Sequence, residues 1–230
     1  MSKTPVHILF VVASKIEVRP MLNLGIFKQL TADLYVAESN GRTIHLLVAG
    51  MGMLVTAAKL SYYLEQYQPE WTVDIGIAGA FNRDLSIGEV VNVATETYGD
   101  FGVEDDDDFK DFFDLGFIET KEDAFTYGLQ KATPCASEFP LLYELRQVDS
   151  LTVNKVHGKE HSIQLMMHKY KADIENMEGL AVFYVCRLRN LPCIEIRSIS
   201  NYVEKRNKEN WDISLAVEKL NEFLILNFKF

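Results

Sequence analysis

Val6-His7-Ile8-Leu9-Phe10-Val11-Val12-Ala13-Ser14-Lys15-Ile16-Glu17 carries the architecture of this chain in miniature. From Val6 to Ala13 nearly every residue is apolar or β-branched, without alternation, the pattern of a strand buried on both faces. Ser14 then suits the cap of a short helix starting near Ile16, with Glu17 in its first turn. A buried strand feeding straight into a helix is the unit from which α/β folds are built.

The unit recurs along the chain. Residues 33–39 and 43–49 flank Asn40-Gly41, a dipeptide suited to a tight hairpin turn. Gly50-Met51-Gly52 leads into a helix to about Gln66, with Pro69 beyond it. Residues 73–77 form another buried strand, running into Gly76-Ile77-Ala78-Gly79, and residues 89–97 a further one. The pattern changes after residue 100, where residues 104–108 are five consecutive acids and residues 109–117 mix aromatics with charges. Loose structure is expected from about 100 to 140. The acids read as a solvated loop, because Ca²⁺ loops interleave their ligands with spacers and a glycine. Order resumes with a strand at 151–157, a helix after Glu160, and a helix over 177–189 with Leu180, Tyr184 and Leu188 at helical spacing. A strand at 192–199 and an amphipathic helix at 214–228 complete the chain. The expected fold is α/β: one domain over residues 1–230, a three-layer sandwich around a central mixed, twisted sheet.

Composition narrows the partners. Of the 230 residues, 48% are apolar, including 14 Phe, 10 Tyr and 2 Trp, which is ample for a packed core. The net charge of −10 repels phosphate backbones and argues against a nucleic-acid partner. It also disfavours a phosphate co-substrate unless local cations offset it. The apolar start at residues 7–13 is too short for a signal segment, and no run approaches the ~20 residues of a membrane span. Cys135, Cys186 and Cys193 lack CxxC spacing; so sparse and odd a set fits a reducing cytoplasm. Each reads as a small buried apolar residue in preference to a reactive thiol.

Ligands of open α/β sheets bind at the carboxyl ends of the strands. Those ends fall at residues 14–17, 50–52, 78–81, 156–158 and 198–201, and the helix start at Met177 joins them. Glu17 and Glu178 are the acids among them. Each is read in two ways, as a helix-terminus acid complementing the dipole or as a catalyst. Gly50-x-Gly52 lacks the third glycine of a dinucleotide loop, and Lys59 does not stand in a phosphate-loop position. His157 and His161 are spaced for a metal on a helix, but Gly158 lies between them. There is no GxSxG elbow. Neither a cofactor nor a metal is expected.

Together these segments resemble the nucleoside phosphorylase and nucleosidase superfamily, and within it the branch of 5′-methylthioadenosine/S-adenosylhomocysteine nucleosidases and futalosine hydrolases. The likeness runs through most of the chain in order: residues 11–18, 49–52 with 63–69, 74–81 with 87–91, Asn176-Met177-Glu178-Gly179-Leu180-Ala181, and Arg197-Ser198-Ile199-Ser200-Asn201. No one segment is specific; their order and separations are. The resemblance implies that Glu17 orients the attacking water, that Met177 and Glu178 bind the ribose, and that Asn201 binds the purine. Ala78, Gly79, Phe81, Val156 and His157 would line the substrate, the base lying near Phe81 and the backbone of Val156-His157. It further implies a homo-oligomer, commonly a dimer.

Two departures sharpen the expectation. Phosphorylases of this superfamily carry arginine where Asp74 stands and serine or threonine where Ile77 stands, both phosphate ligands, so water becomes the expected acceptor. Adenine-specific nucleosidases carry aspartate where Asn201 stands. An asparagine NH₂ offers two donors, which match N7 and O6 of a 6-oxopurine. The implied reaction releases hypoxanthine from futalosine in menaquinone biosynthesis. A methylthioadenosine nucleosidase tolerating Asn201 and a non-catalytic nucleoside-binding protein are the competing readings, and the presence of both Glu17 and Glu178 speaks against the latter. His157, Arg83 or a cation of a neighbouring subunit are candidates for a substrate carboxylate.

Overall fold

The computed structural model describes residues 6–106, 108–117, 129–133, 139–205 and 207–230. In chain order the elements are β1 (Val6–Val12), α1 (Arg19–Leu22), β2 (Lys28–Gln29), β3 (Leu34–Ser39), β4 (Arg42–Val48), α2 (Met53–Leu64), β5 (Trp71–Ala80) and β6 (Val90–Tyr98). They continue with β7 (Gly102–Asp105), β8 (Asp108–Asp111), β9 (Leu129–Lys131), β10 (Arg146–Thr152), α3 (Glu160–Tyr170), β11 (Ile174–Asn176), α4 (Gly179–Leu188), β12 (Cys193–Tyr202) and α5 (Ile213–Phe228).

The central sheet is mixed, as its sequence pattern predicts, with strand order β11-β10-β6-β12-β5-β1-β4-β3-β2. Residues Ile8, Phe10 and Val12 of β1 pack with Met21 and with Leu220, Leu224 and Phe228 of α5. Leu9 and Val11, pointing the other way, pack with Leu60 and Tyr63 of α2 and Val182 and Phe183 of α4. This is why the first strand carries no alternation: helices cover both of its faces, and each fully buried side chain contributes ~1.5–3 kcal/mol. Asn40 and Gly41 both take left-handed conformations, with φ of 48° and 72°, so the β3–β4 turn matches the twist of its strands.

At its carboxyl end β5 pairs with β11 as well as with β12, so β11, β10, β6, β12 and β5 close into a ring. Closure draws the ends of β1, β5 and β12 and the head of α4 into one region.

Other expectations need correction. Of the acids at 104–108, residue 107 lies outside the described residues and the others do not form a loop alone: β7 and β8 pair Glu104 with Phe109 and Asp105 with Asp108, and Lys110 bonds the Asp105 carboxylate. Lys169 of α3 bridges Asp111 and Asp114, tying the segment after the hairpin to the body. The remaining parts of the stretch expected to be loose, 118–128 and 134–138, lie outside the described residues, as does Cys135. The strand expected at 151–157 lies at Arg146–Thr152 instead. The Asp100 carboxylate accepts from the backbone N–H of Asn154 at 2.8 Å and Lys155 at 3.1 Å, which turns the chain out of the sheet. Ser14 caps no helix; α1 begins after Val18, without a side-chain cap. In α4, Leu188 is exposed and Tyr184 only half-buried, while Leu180, Ala181, Val182 and Phe183 are all buried, because the head of the helix is enclosed on every side. Cys186 and Cys193 are free and buried. Among the described residues no helix is long and apolar enough to cross a membrane.

Candidate active site

Glu17 follows β1 at the carboxyl edge of the sheet. Its Oε2 accepts from the backbone N–H of Ser14 at 2.9 Å and the Ser14 hydroxyl at 2.8 Å, and its Oε1 from the N–H of Ile77 at 3.3 Å. Ser14 is therefore a donor to the acid and not a helix cap. The main chain is pinned from behind by Asn221 of α5, whose amide donates to the Glu17 carbonyl at 2.7 Å and accepts from the Met21 N–H at 3.1 Å.

Gly76 makes room above β5. A Cβ there would overlap Nη1 of Arg197 and come within 3.0 Å of Glu17 Oε1. The Arg197 guanidinium and the Glu17 carboxylate thus lie side by side over a glycine. Arg197 is fully buried and donates through Nε to Glu195 at 2.7 Å and through Nη2 to Asp74. Its neighbouring acids, Asp74 first, hold its pKa above the ordinary arginine value despite burial, so it is a permanent cation. Asp74 is committed to that ion pair, and burial lifts its own pKa against the pull of Arg197.

Glu178 comes from the other side, at the head of α4. Its Oε1 accepts from the Gly52 N–H at 2.7 Å. Gly52 has φ 90°, a conformation glycine adopts freely, which gives the Gly50-Met51-Gly52 turn a job unrelated to phosphate. Burial raises the Glu178 pKa most; the Gly52 N–H and Arg197 pull it down, and Glu17 pushes it up again. The turn is set by Asn176, whose Oδ1 accepts from the N–H of Glu178 at 2.8 Å and Gly179 at 2.7 Å. Met177 is half-buried beside it.

The pairing of β12 with β5 shifts register between Ile199 and Asn201, a bulge of the kind that re-aims side chains. It places Asn201 over Gly79, where a Cβ would lie 3.1 Å from Asn201 Nδ2. Nδ2 donates to the Tyr202 carbonyl at 3.0 Å, and the single Ser200 O–H has Oδ1 at 2.8 Å and the Ala78 carbonyl at 3.1 Å within reach. One N–H of the amide therefore remains for a ligand, against the two expected from the sequence.

The remaining candidates divide. His157 is buried and held twice by Glu175, through its N–H at 3.1 Å and Nδ1 at 2.7 Å, while Val156 beside it is exposed. Arg83 pairs with Glu204 at 2.9 Å and lies over the Tyr202 ring. Both side chains of this chain suggested for a substrate carboxylate thus already pair with acids. Phe81 is buried among Leu151, Val153, Ile163, Met166 and Val203, so its ring belongs to the packing between β5 and α3.

The structure brings Glu17, Glu178, Gly79 and Asn201 to the ends of neighbouring elements and adds Arg197, Asn176 and Asn221, which had been given no role. Two acids flanking a guanidinium can orient a water and stabilise a cation developing between them.

The family model described as the phosphorylase superfamily matches residues 7–226. The 5′-methylthioadenosine/S-adenosylhomocysteine nucleosidase of Marinomonas sp. (strain MWYL1) is 26% identical over 205 residues, covering 84% of this chain and 83% of that one. The corresponding nucleosidase of Helicobacter pylori superposes with a TM-score of 0.81 at 14% identity over 99% of both chains. The futalosine hydrolase of Helicobacter pylori strain 26695 superposes with 0.79 at 15% identity over 97% of both. At these identities the superpositions establish the shared fold.

Proposed function

The chain belongs to the phosphorylase superfamily, and from that premise we propose that it is a nucleosidase that hydrolyses the N-glycosidic bond of futalosine and releases hypoxanthine. The observation that carries the choice of base is Asn201. Its one uncommitted amide N–H meets an acceptor such as N7 or O6 of a 6-oxopurine, and the Ser200 hydroxyl already occupies Oδ1, the acceptor that a 6-amino group would need.

In this reading Glu178, with Met177 packing the sugar, holds the ribose hydroxyls and faces the oxocarbenium-like centre. Glu17, anchored by Ser14 and Ile77, orients the water and takes its proton, a contribution of ~10²–10⁴ in rate. Ala78, Gly79 and the Val156-His157 backbone flank the base, and Phe81 supports them from the core. Arg197 is the cation nearest the acceptor position, but Asp74 and Glu195 neutralise it, and Glu17 and Glu178 add further negative charge. That balance supports water over phosphate as the acceptor. Met51 in the turn before α2 and Leu54, Val55 and Tyr62 along it expose apolar side chains, which supports a homodimer.

Product assays with futalosine, inosine and methylthioadenosine, with and without phosphate, test the proposal. Hypoxanthine appearing only with phosphate would sink the hydrolase reading. Preference for methylthioadenosine, the substrate in the name of the Marinomonas relative, would overturn the reading of Asn201.

A further inference from the structure

Beneath the Glu178 turn lies a polar cluster that the reaction does not itself use. Glu96 on β6 accepts from the Thr152 hydroxyl and from Asn176 Nδ2, both at 2.5 Å. Asn176 Nδ2 also reaches Ser150 at 2.9 Å and Glu195 at 3.3 Å. Glu195 Oε1 accepts from Arg197, yet its Oε2 is buried with no donor aimed at it. The two carboxyl groups face each other across Gly179, where a Cβ would lie 2.5 Å from Glu96 Oε1 and 2.7 Å from Glu195 Oε2. Two ionised carboxylates in such contact repel; a proton between them turns the contact into an O–H···O bond and supplies the missing partner.

We propose that Glu96 and Glu195 share one proton and act as positioning residues for hydrolysis, Glu195 by fixing Arg197 and both by orienting Asn176 under the Glu178 turn. Asn176 can cap α4 with Oδ1 only while its NH₂ is directed into acceptors, and the two acids with Ser150 are those acceptors. Arg197 of β12 faces both carboxyls, Asp74 of β5 and Cys193 of β12 lie against Glu195, and Ser150 and Thr152 of β10 bond Glu96; Glu17 and Glu178 act on Asp74 and Cys186 on Cys193, one step further out. One guanidinium offsets one of the three innermost acids, Asp74, which leaves the pair to retain a proton. Burial favours the same outcome for both carboxyls. The catalytic half of the proposal rests on the nucleosidase reading; the shared proton does not.

The test compares the full-length wild type with Glu195→Leu, Glu195→Gln and Glu96→Gln. Glu195→Leu loses the Arg197 acceptor, and kcat should fall roughly tenfold or more with KM little changed. Glu195→Gln, whose amide N–H takes the place of the shared proton, should restore most of that kcat. In the wild type, Tm should decline as pH rises from about 5 towards 9, because a carboxyl with a raised folded pKa loses its contribution as it ionises; either Gln variant should flatten that decline. Wild-type kcat in Glu195→Leu, or an unflattened Tm profile in both Gln variants, overturns the proposal. If Glu195→Leu does not fold, the Gln profiles decide. If the wild type cleaves no purine nucleoside, the functional reading has failed, and the melting profiles still decide the shared proton.

Discussion

Replacing Glu178 with glutamine should move activity and stability in opposite directions. The glutamine carbonyl can still accept the Gly52 N–H that Glu178 Oε1 accepts at 2.7 Å, so the turn keeps its anchor. What disappears is the charge. If that charge faces the developing ribosyl cation, its loss removes a preorganised electrostatic contact worth ~3–4 kcal/mol, or ~10²–10³ in kcat. Stability should respond the other way. Burial is the largest influence on Glu178 and raises its pKa above 4.5. A carboxyl with a raised folded pKa contributes fully below the unfolded value and loses that contribution as pH rises through the folded one. Once ionised, the carboxylate is held against its own desolvation, and glutamine removes that burden. The expected Tm is unchanged or higher, by about 2–4 °C for each kcal/mol relieved in a chain of this size. Steady-state release of purine base and a calorimetric melt on the same preparation decide the matter. Full turnover would refute the catalytic assignment; a Tm lowered by more than a few degrees would refute the view of Glu178 as a strained charge.

Asn201→Asp places a carboxylate oxygen where Nδ2 now donates to the Tyr202 carbonyl at 3.0 Å, so the side chain must rotate or take a proton; kcat/KM for 6-oxopurine nucleosides should fall about 10–100-fold relative to 6-aminopurine ones, read from competitive assays. Asn221→Leu leaves the Glu17 carbonyl and the Met21 N–H unsatisfied in the core, and urea titration should register a loss of ~2–4 kcal/mol, with kcat reduced as Glu17 loosens. His45 is held down to about 4 by burial and by His7, against 6.5 for the free side chain. The folded chain thus binds fewer protons between those values, stability falls as pH drops through that window, and His45→Gln should flatten that part of a Tm–pH profile.

Much of the architecture could be read because it rests on local signals. The unbroken apolar run of β1, the Asn40-Gly41 turn and the glycines before α2 each depend on neighbours close in sequence. The acids Glu17 and Glu178 could be singled out as candidates because they stand at strand and helix ends. What could not be read depends on distant partners. β11 has three residues and is a strand only because β10 and β5 flank it. Arg197 lies in a segment quoted for its likeness, but its use depends on Asp74, 123 residues away. Asn221 sits 204 residues from the carbonyl it binds, and its one local sign is a polar side chain amid Val217, Leu220 and Leu224. Such a residue on an apolar helix face is a request for a buried partner, and the sequence does not name the partner. The helix over 177–189 stands as α4, and only its buried face differs from the expected one: periodicity finds one buried stripe, and the head of α4 is buried all round.

The closed ring of strands has a consequence for how the chain is made. β5 emerges from the ribosome early, yet most of one edge must wait for β12, near the end of the chain. Until then the backbone groups of that edge are unpaired and Asp74 has no counter-charge, so the first four-fifths of the chain cannot bury its own centre without stranding a carboxylate in it. Late closure of this kind exposes strand edges for longer and slows folding through the cost of long-range contacts. Synthesis should therefore yield a stable body only after residues 193–202 have cleared the exit tunnel, and chains stopped before them should be degraded or aggregate.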